Sequence, residues 1–317
     1  MFAVSSQALL AMPLDCPLIQ SMRHAVVLFL GGFVVFASLT GVGAGAEPRA
    51  SQAGRPTPAR MAIPAPAKPA ATVAAHADYQ IYVRGLRIGR LETGFELQPA
   101  QYRVEIAFRT FGLVGWLWRG HQLGIAEGRL DRSRTEPLRF VGEGVWRGTP
   151  RRILIDYVGG QPVLRELEPP DDGEREPVPP ALQANTIDTL SAMVLLIRHI
   201  AETGNCHTET TIFDGRRAVR LTARTVGEEA LEPTRRSTFH GPALRCDFDG
   251  KLLAGFRRDD TQADRGKTRR GTAWFASIVP GAPLLPVQIT FETTWLGDAT
   301  LYLVGSGPGA SRSPEER

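Results

Sequence analysis

The sequence has few cysteines and none of the short motifs that mark common enzyme classes. Three cysteines occur among 317 residues, and no two are spaced as Cys-x-x-Cys, the spacing of thiol redox sites and of many zinc sites. The chain contains neither a Gly-x-Ser-x-Gly nucleophile elbow nor a His-Glu-x-x-His motif. No Gly-rich loop for phosphate joins a predicted strand to a predicted helix. We therefore predict no catalytic residue, no metal site and no cofactor.

The carboxylates and histidines of the chain are not spaced as in a catalytic site. The carboxylate pairs Asp171-Asp172 and Asp259-Asp260 lie in polar stretches and lack the ligand spacing of a calcium loop. The five histidines beyond the N-terminal leader have neighbours more typical of structural or surface side chains than of a general base. These histidines are His76, His121, His199, His207 and His240.

Charge of either sign is not concentrated in any one part of the chain. The 37 basic and 33 acidic residues give a net charge of +4, and they are interleaved without a basic block. This pattern predicts no nucleic-acid partner. It fits ordinary surface charge, although a mild positive balance would also favour anionic lipid or polymer surfaces.

A long apolar run is missing too, and this affects how the N-terminal region is interpreted. A short basic start precedes an apolar run at residues 25–39, and Ala44-Gly45-Ala46 forms a small-x-small cleavage site. The run is roughly 15 residues long, whereas a membrane-spanning helix needs roughly 20. We therefore predict a cleaved secretion signal and a mature chain that starts at Glu47. Cys16 follows Pro-Leu-Asp rather than small neutral residues, so we predict no lipid anchor there.

These features predict a periplasmic or secreted protein, which would be anchored in the inner membrane if the signal were not cleaved. Otherwise, we expect any membrane contact to be peripheral. Composition divides the chain into four parts. These are a leader at 1–46 with the signal peptide at 22–46, a disordered Pro/Ala-rich linker at 47–77, a single β-rich domain at 78–304, and a disordered tail at 305–317.

The domain is predicted to be mainly β, with one helix. Short segments of alternating apolar and polar residues, separated by Gly, Pro and Asp, are typical of antiparallel strands, and the predicted strands include 208–213, 237–246, 252–258 and 272–279. Residues 187–202 differ, because their apolar residues recur at helical spacing, with Asp188 as a possible cap and Gly204 as a possible end. Because that helix is apolar on nearly all sides, we expect it to lie against the concave face of the strands. The fold class is then an antiparallel curved sheet or half-open barrel packed around one α-helix.

Two local features refine this fold. Cys206 and Cys246 are the only cysteines after the leader, so an oxidising compartment predicts a disulfide between them. A redox pair, or a metal site that also uses His207 and His240, is the alternative, but the spacing supports neither. Asp214-Gly215 is predicted to form a two-residue hairpin turn with positive φ at both positions, which assigns Asp214 no catalytic role.

The segment Leu113-Val114-Gly115-Trp116-Leu117-Trp118 is the most unusual part of the domain. Its tryptophans could pack in the core, form the wall of an apolar cavity, or contact a membrane or a partner. As ligand-facing candidates we select three residues of this segment together with one tryptophan from a later strand. They are Trp116, Leu117, Trp118 and Trp146.

The order of several short motifs resembles an uncharacterised family of exported bacterial proteins, known as domain of unknown function 3108. The resemblance implies an envelope location and a β-rich fold, and it brings no activity or catalytic residues. It spans nearly all of residues 78–304. The motifs are 82–89, 109–118, the helix at 188–196, Cys206, the 213–217 hairpin, Cys246 and 285–287.

The function expected from these features is that of an exported, non-catalytic envelope protein. Its concave face would bind an apolar or lipid-like ligand or an envelope protein partner, with residues 188–202 lining or plugging the sheet and Trp116 and Trp118 near the open rim. Two alternatives remain. A periplasmic hydrolase would place several polar, titratable residues in one pocket, and a structural interaction module would have no cavity at all.

Overall fold

The computed structural model describes residues 72–112, 120–131, 134–146, 148–170, 173–293 and 297–309. Within these ranges the chain forms thirteen strands and three helices. The helices are α1 (Pro180–Gln183), α2 (Thr189–Thr203) and α3 (Gln262–Arg265). The first seven strands are β1 (Val73–Val83), β2 (Leu86–Leu97), β3 (Gln101–Thr110), β4 (Gly120–Asp131), β5 (Arg134–Trp146), β6 (Thr149–Val158) and β7 (Gln161–Glu168). The remaining strands are β8 (Thr208–Phe213), β9 (Ala218–Leu231), β10 (Gly241–Ala254), β11 (Thr268–Ala276), β12 (Leu285–Glu292) and β13 (Asp298–Pro308).

All thirteen strands belong to one antiparallel sheet that curls into a nearly closed barrel. Sequential strands are neighbours, and β13 pairs with β1, so β7 and β8 are the two edges. The β8–β9 hairpin narrows the gap between these edges, because the Arg216 guanidinium donates to the Pro169 carbonyl beyond the end of β7. A Cβ on Gly215 would overlap Ile153 of β6. The predicted fold class is confirmed.

One end of the barrel, here called the upper end, carries the β1–β2, β3–β4, β10–β11 and β12–β13 connections. Successive antiparallel strands reverse direction, so alternate connections must lie at the same end. Strand β3 ends and β4 begins at this end, and the sequence between them contains Trp116. Residues 113–119 lie outside the described part of the chain.

Helix α2 lies inside the barrel and begins and ends at the predicted residues. Asp188 is its N-cap, and the Asp188 carboxylate accepts hydrogen bonds from the backbone N–H groups of Leu190 and Ser191. Gly204 ends the helix in the left-handed conformation with φ of 72°, which a residue without a Cβ adopts readily. The helix packs on β3, β4, β5 and β8. Gly124 of β4 lies beside the helix: a Cβ there would be at ordinary contact distance from Leu190, at 3.6 Å, and closer to Ile106 of β3, at 3.1 Å.

Aromatic rings cover inward-facing glycines on neighbouring strands of the sheet. A Cβ on Gly120 would overlap the Trp146 indole, and a Cβ on Gly128 would overlap the Tyr102 ring. In each case the glycine and the aromatic residue are directly paired on adjacent strands. The absence of a side chain at these two glycines of β4 thus allows the rings of Tyr102 on β3 and Trp146 on β5 to pack against the β4 backbone.

Three details differ from the sequence-based expectations. Residues 237–246 and 252–258 are not two strands: β10 runs unbroken from Gly241 to Ala254, and Gly250 pairs with Leu221 instead of turning the chain.

The Asp214-Gly215 turn is also wider than predicted. Residues 214–217 connect the strands, φ is positive only at Gly215, and Asp214 Oδ1 accepts from the backbone N–H groups of Arg216 and Arg217.

The third difference concerns the ends of the sheet. Strand β1 begins at Val73, inside the stretch predicted as a linker, and β13 continues to Pro308, inside the stretch predicted as a tail. These extensions pair with each other, for example Ala75 with Pro308. Cross-strand pairing therefore orders two segments whose composition alone gives no strand signal.

Candidate functional site

The interior of the barrel contains a cavity of about 210 Å³ between α2 and the inner faces of nine strands. Leu190, Met193 and Leu196 form the helix side of its wall, and Tyr79 and Phe95 lie among the strand residues opposite. Most of the lining side chains are aliphatic or aromatic. The cavity is partly open to solvent, so a ligand could enter it without unfolding the barrel.

The cavity lies where two groups of packed apolar side chains meet. The first, here called the helix cluster, includes Tyr102, Val194, Ile197 and Ile200. The second, here called the strand cluster, includes Tyr79, Ile81, Phe108, Leu301 and Leu303. Because members of both clusters line the cavity, the empty volume is a gap between two well-packed regions.

The polar atoms on the strand side of the wall are satisfied within the protein. The Tyr79 hydroxyl donates to the Pro286 carbonyl at 2.7 Å, and the Thr93 hydroxyl donates to the Ala77 carbonyl at 2.9 Å. Burial raises the pKa of Tyr79, so its phenol remains neutral. The wall therefore offers a ligand mainly apolar surface.

Among the described residues, those with a charge line the cavity only at the upper end. Arg269, Arg270 and Glu292 lie near the start of β11 and the end of β12. Arg269 shares the inward face of β11 with Gly271 and Ala273, since side chains alternate along a strand. The Arg269 side chain is half-buried, and this burial lowers the pKa of its guanidinium against the opposite influence of nearby carboxylates, chiefly that of Glu292.

The neighbouring Arg270 points the other way. Its side chain is 77 % exposed, and its Nε lies 4.0 Å from Asp249 Oδ1 of β10. Glu292 is exposed as well. Arg269 is thus the charged group at the mouth that is held partly inside the protein.

A buried polar network lies at the start of α2. The Ser191 hydroxyl donates to Asp188 Oδ2 at 2.5 Å, and the Tyr102 hydroxyl lies 2.6 Å from Ser191 Oγ. Burial raises the pKa of Asp188, and the hydrogen bonds donated to its carboxylate only partly offset that effect. Neither a histidine nor a lysine takes part in these contacts, and the network is fully accounted for as the cap of the helix.

Close to this network, the Tyr157 hydroxyl is buried without a hydrogen-bond partner among the described residues. Burial raises the pKa of this phenol, and the carboxylate of Asp188 raises it further. The network and Tyr157 are not part of the cavity wall that the described residues form. The network therefore holds the start of α2 in place, and neither it nor Tyr157 is among the described groups that a ligand in the cavity would meet.

Cys206 and Cys246 lie at disulfide distance, as predicted, with their Cα atoms 6.0 Å apart. Both are fully buried in the helix cluster. The bond joins the segment between α2 and β8 to β10, so it ties the helix to the sheet at its C-terminal end. His207 and His240 are exposed, and the described residues include no group of three or more His, Cys, Asp or Glu side chains placed to hold a metal.

The structure tests the predicted ligand-facing residues only in part. Trp116, Leu117 and Trp118 lie outside the described residues, so their role remains a prediction. Trp146 packs in the strand cluster, with its indole over Gly120, and it is not among the described residues that line the cavity. Its indole N–H is buried and has no partner within the described ranges.

Sequence reasoning predicted that the helix lines the interior, which Leu190, Met193 and Leu196 do, but it missed the strand residues that line the cavity, Arg269 among them. A signal for Arg269 was present: residues 269–275 read Arg-Arg-Gly-Thr-Ala-Trp-Phe, and in alternation Arg269 falls on the same face as Ala273 and Phe275. A charge on the inward face of a strand is unusual and marks an opening or a buried partner. The sequence-based prediction placed this strand at 272–279, whereas β11 begins at Thr268, so Arg269 was predicted to lie outside the strand.

The chain belongs to a family described as a protein of unknown function, DUF3108, whose model matches residues 78–304. Among solved structures it is similar to a beta-barrel-like protein of domain of unknown function DUF1849 from Brucella abortus. That similarity has a TM-score of 0.47 and 15 % sequence identity, and it covers 77 % of this chain and 100 % of the other. No curated protein matches the chain. Within the described residues, no helix has the length and apolar character needed to cross a membrane.

Proposed function

We propose that this protein binds an apolar or amphipathic small molecule in the cavity between α2 and the strands. The observation that carries the proposal is the cavity itself, which is apolar, partly open and bounded by helix and sheet. Burying apolar ligand surface there would be favourable by roughly 25 cal/mol for each Å² removed from water. The hydroxyls of Tyr79 and Thr93 are already bonded, so a ligand need not satisfy them.

The size of the cavity limits the ligand. Its volume of about 210 Å³ exceeds the roughly 150 Å³ of an apolar cavity that can hold benzene. It is smaller than the roughly 300 Å³ at which pockets for drug-sized ligands begin. A single acyl chain or one small apolar ring therefore fits the enclosed part, whereas two parallel chains do not.

The location we propose is the bacterial envelope, with the chain exported by the signal peptide at 22–46. The disulfide between Cys206 and Cys246 supports an oxidising compartment, because such bonds rarely persist where thiols are kept reduced. The membranes of the envelope would supply single-chain lipids to a carrier or sensor in that compartment. The cavity argues against the purely structural module, for which we expected none.

Calorimetric titration with 1-decanol tests the proposal on the full mature chain. We expect saturable binding to one site per chain. Replacing Ala273, whose small side chain lines the cavity, by Leu should weaken this binding at least about tenfold by filling the space. The matched control is Ala263→Leu on α3, where the side chain is exposed, and it should bind like the unsubstituted protein.

Native mass spectrometry of protein purified from a periplasmic extract complements the titration. A single-chain lipid recovered with the protein at one per chain supports the proposal. Absence of 1-decanol binding, or equal binding by the Ala273→Leu variant, would contradict it.

A further inference from the structure

The cavity is not chemically uniform, because one side chain with a positive charge reaches it at its mouth. Arg269 lies on the inward face of β11 near its first residue, and the side chain is half-buried at the upper end of the barrel. The other lining charges, Arg270 and Glu292, are both exposed. An anionic group placed at the mouth would meet the guanidinium of Arg269 just where the apolar wall begins.

From this arrangement we infer that the ligand is a single-chain amphiphile with an anionic head group, held with its chain in the cavity and its head on Arg269. This inference rests on the proposed function and names the ligand class of the same site. The chemistry shared by all candidates is a carboxylate, sulfate or phosphate at the end of one apolar chain.

Two glycines lie between the mouth and the interior. Gly250 of β10 is paired directly with Arg269, and Gly271 is the next inward position on β11. Both glycines line the cavity. Because neither has a side chain, no side chain of these two positions separates the guanidinium from the space beside Ala273.

The guanidinium can hold such a head group in addition to the contacts it already makes. It has five N–H donors in a planar fork that matches the two oxygens of a carboxylate. Burial lowers the pKa of Arg269 although Glu292, Asp264 and Asp260 act in the opposite direction. An anionic head group at the mouth would add to these carboxylates in favouring the charged guanidinium.

The first test compares three compounds that share one chain and differ in the head group. Decanoate, 1-decanol and decyltrimethylammonium are titrated into the unsubstituted full mature chain at a pH at which the carboxylate is ionised. We expect decanoate to bind about tenfold or more tightly than 1-decanol, as expected for one charge-assisted hydrogen-bonded pair, and the cationic compound to bind most weakly. Added salt should reduce the preference for decanoate. Equal affinities for all three compounds would overturn the inference.

Variants then assign the preference to a residue. Arg269→Gln should remove the preference for decanoate, measured within the variant as the ratio of its affinities for decanoate and 1-decanol. Arg270→Gln, on the adjacent but outward-facing position, should keep the preference, and Glu292→Gln should increase it because a competing carboxylate is removed. Loss of the preference in Arg270→Gln instead of Arg269→Gln would refute the assignment to Arg269.

Two further outcomes separate this inference from the proposed function. Acetate is the head group without a chain, and we expect it to bind far more weakly than decanoate; binding of comparable strength would mean a small-anion site and overturn the amphiphile. If 1-decanol binds but decanoate has no advantage, the inference fails and the proposed function stands. If neither compound binds, the proposed function fails as well.

Discussion

The two regions that face each other across α2 differ in how completely they are packed. On one side the helix cluster surrounds Val194, Ile197 and Ile200, none of which has measurable solvent exposure, and it includes the disulfide. On the other side Leu190 and Leu196, which also belong to this cluster, and Met193, which packs against it, border a cavity. The same helix thus closes one part of the barrel and leaves another part open.

This difference shows that the gap is not a general failure of packing in a wide barrel. Where α2 approaches β4, the helix packs directly on the strand, with Leu190 beside Gly124. Where α2 faces β11 and β12, the cavity separates the helix from the strands, and no side chain of the described residues fills it. Substitutions on the two sides should therefore have different consequences, and the size of that difference tests the comparison.

The largest effect is expected at the disulfide on the packed side. Replacing Cys206 and Cys246 together by Ala removes a bond between residues 40 positions apart. The chain-entropy model assigns such a loop about 4 kcal/mol of stability. The free energy of unfolding in urea should fall by an amount of this order.

Peptide mapping without reductant should recover Cys206 linked to Cys246 in the unsubstituted protein. Two freely alkylatable thiols in periplasmic material would contradict the bond. They would also reopen a redox role for the pair.

A matched pair of truncations on α2 should give the next largest difference. Ile197→Ala removes a fully buried side chain from the helix cluster and should cost about 3 kcal/mol, through lost burial and a new void. Met193→Ala removes a partly buried side chain that already borders empty space, and it should cost less than about 1.5 kcal/mol, partly because Ala favours helix. Urea unfolding of both variants measures the contrast, and equal losses would mean that the two sides of α2 are packed alike.

Substitution of Asp188, the N-cap of α2, should have the third largest effect on stability, and this effect should depend on pH. Asp188→Ala removes an acceptor for two backbone N–H groups and the Ser191 hydroxyl, and it should cost about 2 kcal/mol. Asp188→Asn retains a capping oxygen, so its cost at neutral pH should be smaller.

The direction of the pH dependence follows from the raised pKa of Asp188. The native protein keeps this proton to a higher pH than the unfolded chain, whose value lies near 3.8. The unfolded state therefore binds fewer protons above that pH, and stability decreases as the pH rises through the interval between the two pKa values. The stability of the unsubstituted protein relative to Asp188→Asn should be greatest at the acidic end of this interval. A difference that does not change with pH would contradict the assignment.

Local signals explain why the helix and most strands could be predicted. Asp188 and Gly204 mark the ends of α2 through interactions within a few residues, and alternation marks strands such as β8, which spans the predicted Thr208–Phe213. The two cysteines could be paired by elimination. Each of these inferences depends on neighbouring residues or on a count.

The cavity could not be predicted in the same way. Its wall combines residues from nine strands and one helix, and which of them meet depends on strand register and on bulges such as the shift between Trp274 and Phe275. A one-residue change of register would turn Arg269 to the other face. The error at β10 has a related cause, because Asp249-Gly250 has the composition of a turn but pairs on both sides inside the sheet.

The smallest change in stability is expected where a side chain is added to the open region. Ala273→Leu extends a side chain into the cavity, so added contacts and residual strain should nearly cancel, and the free energy of unfolding should change by less than about 1 kcal/mol. Ala126→Leu adds the same atoms at a position with no exposure in the helix cluster, where overpacking should cost about 1–3 kcal/mol. Urea unfolding of the two variants compares the regions directly. A large loss for Ala273→Leu would show that the cavity cannot accept even three added carbon atoms, and a ligand chain would then have no place in it.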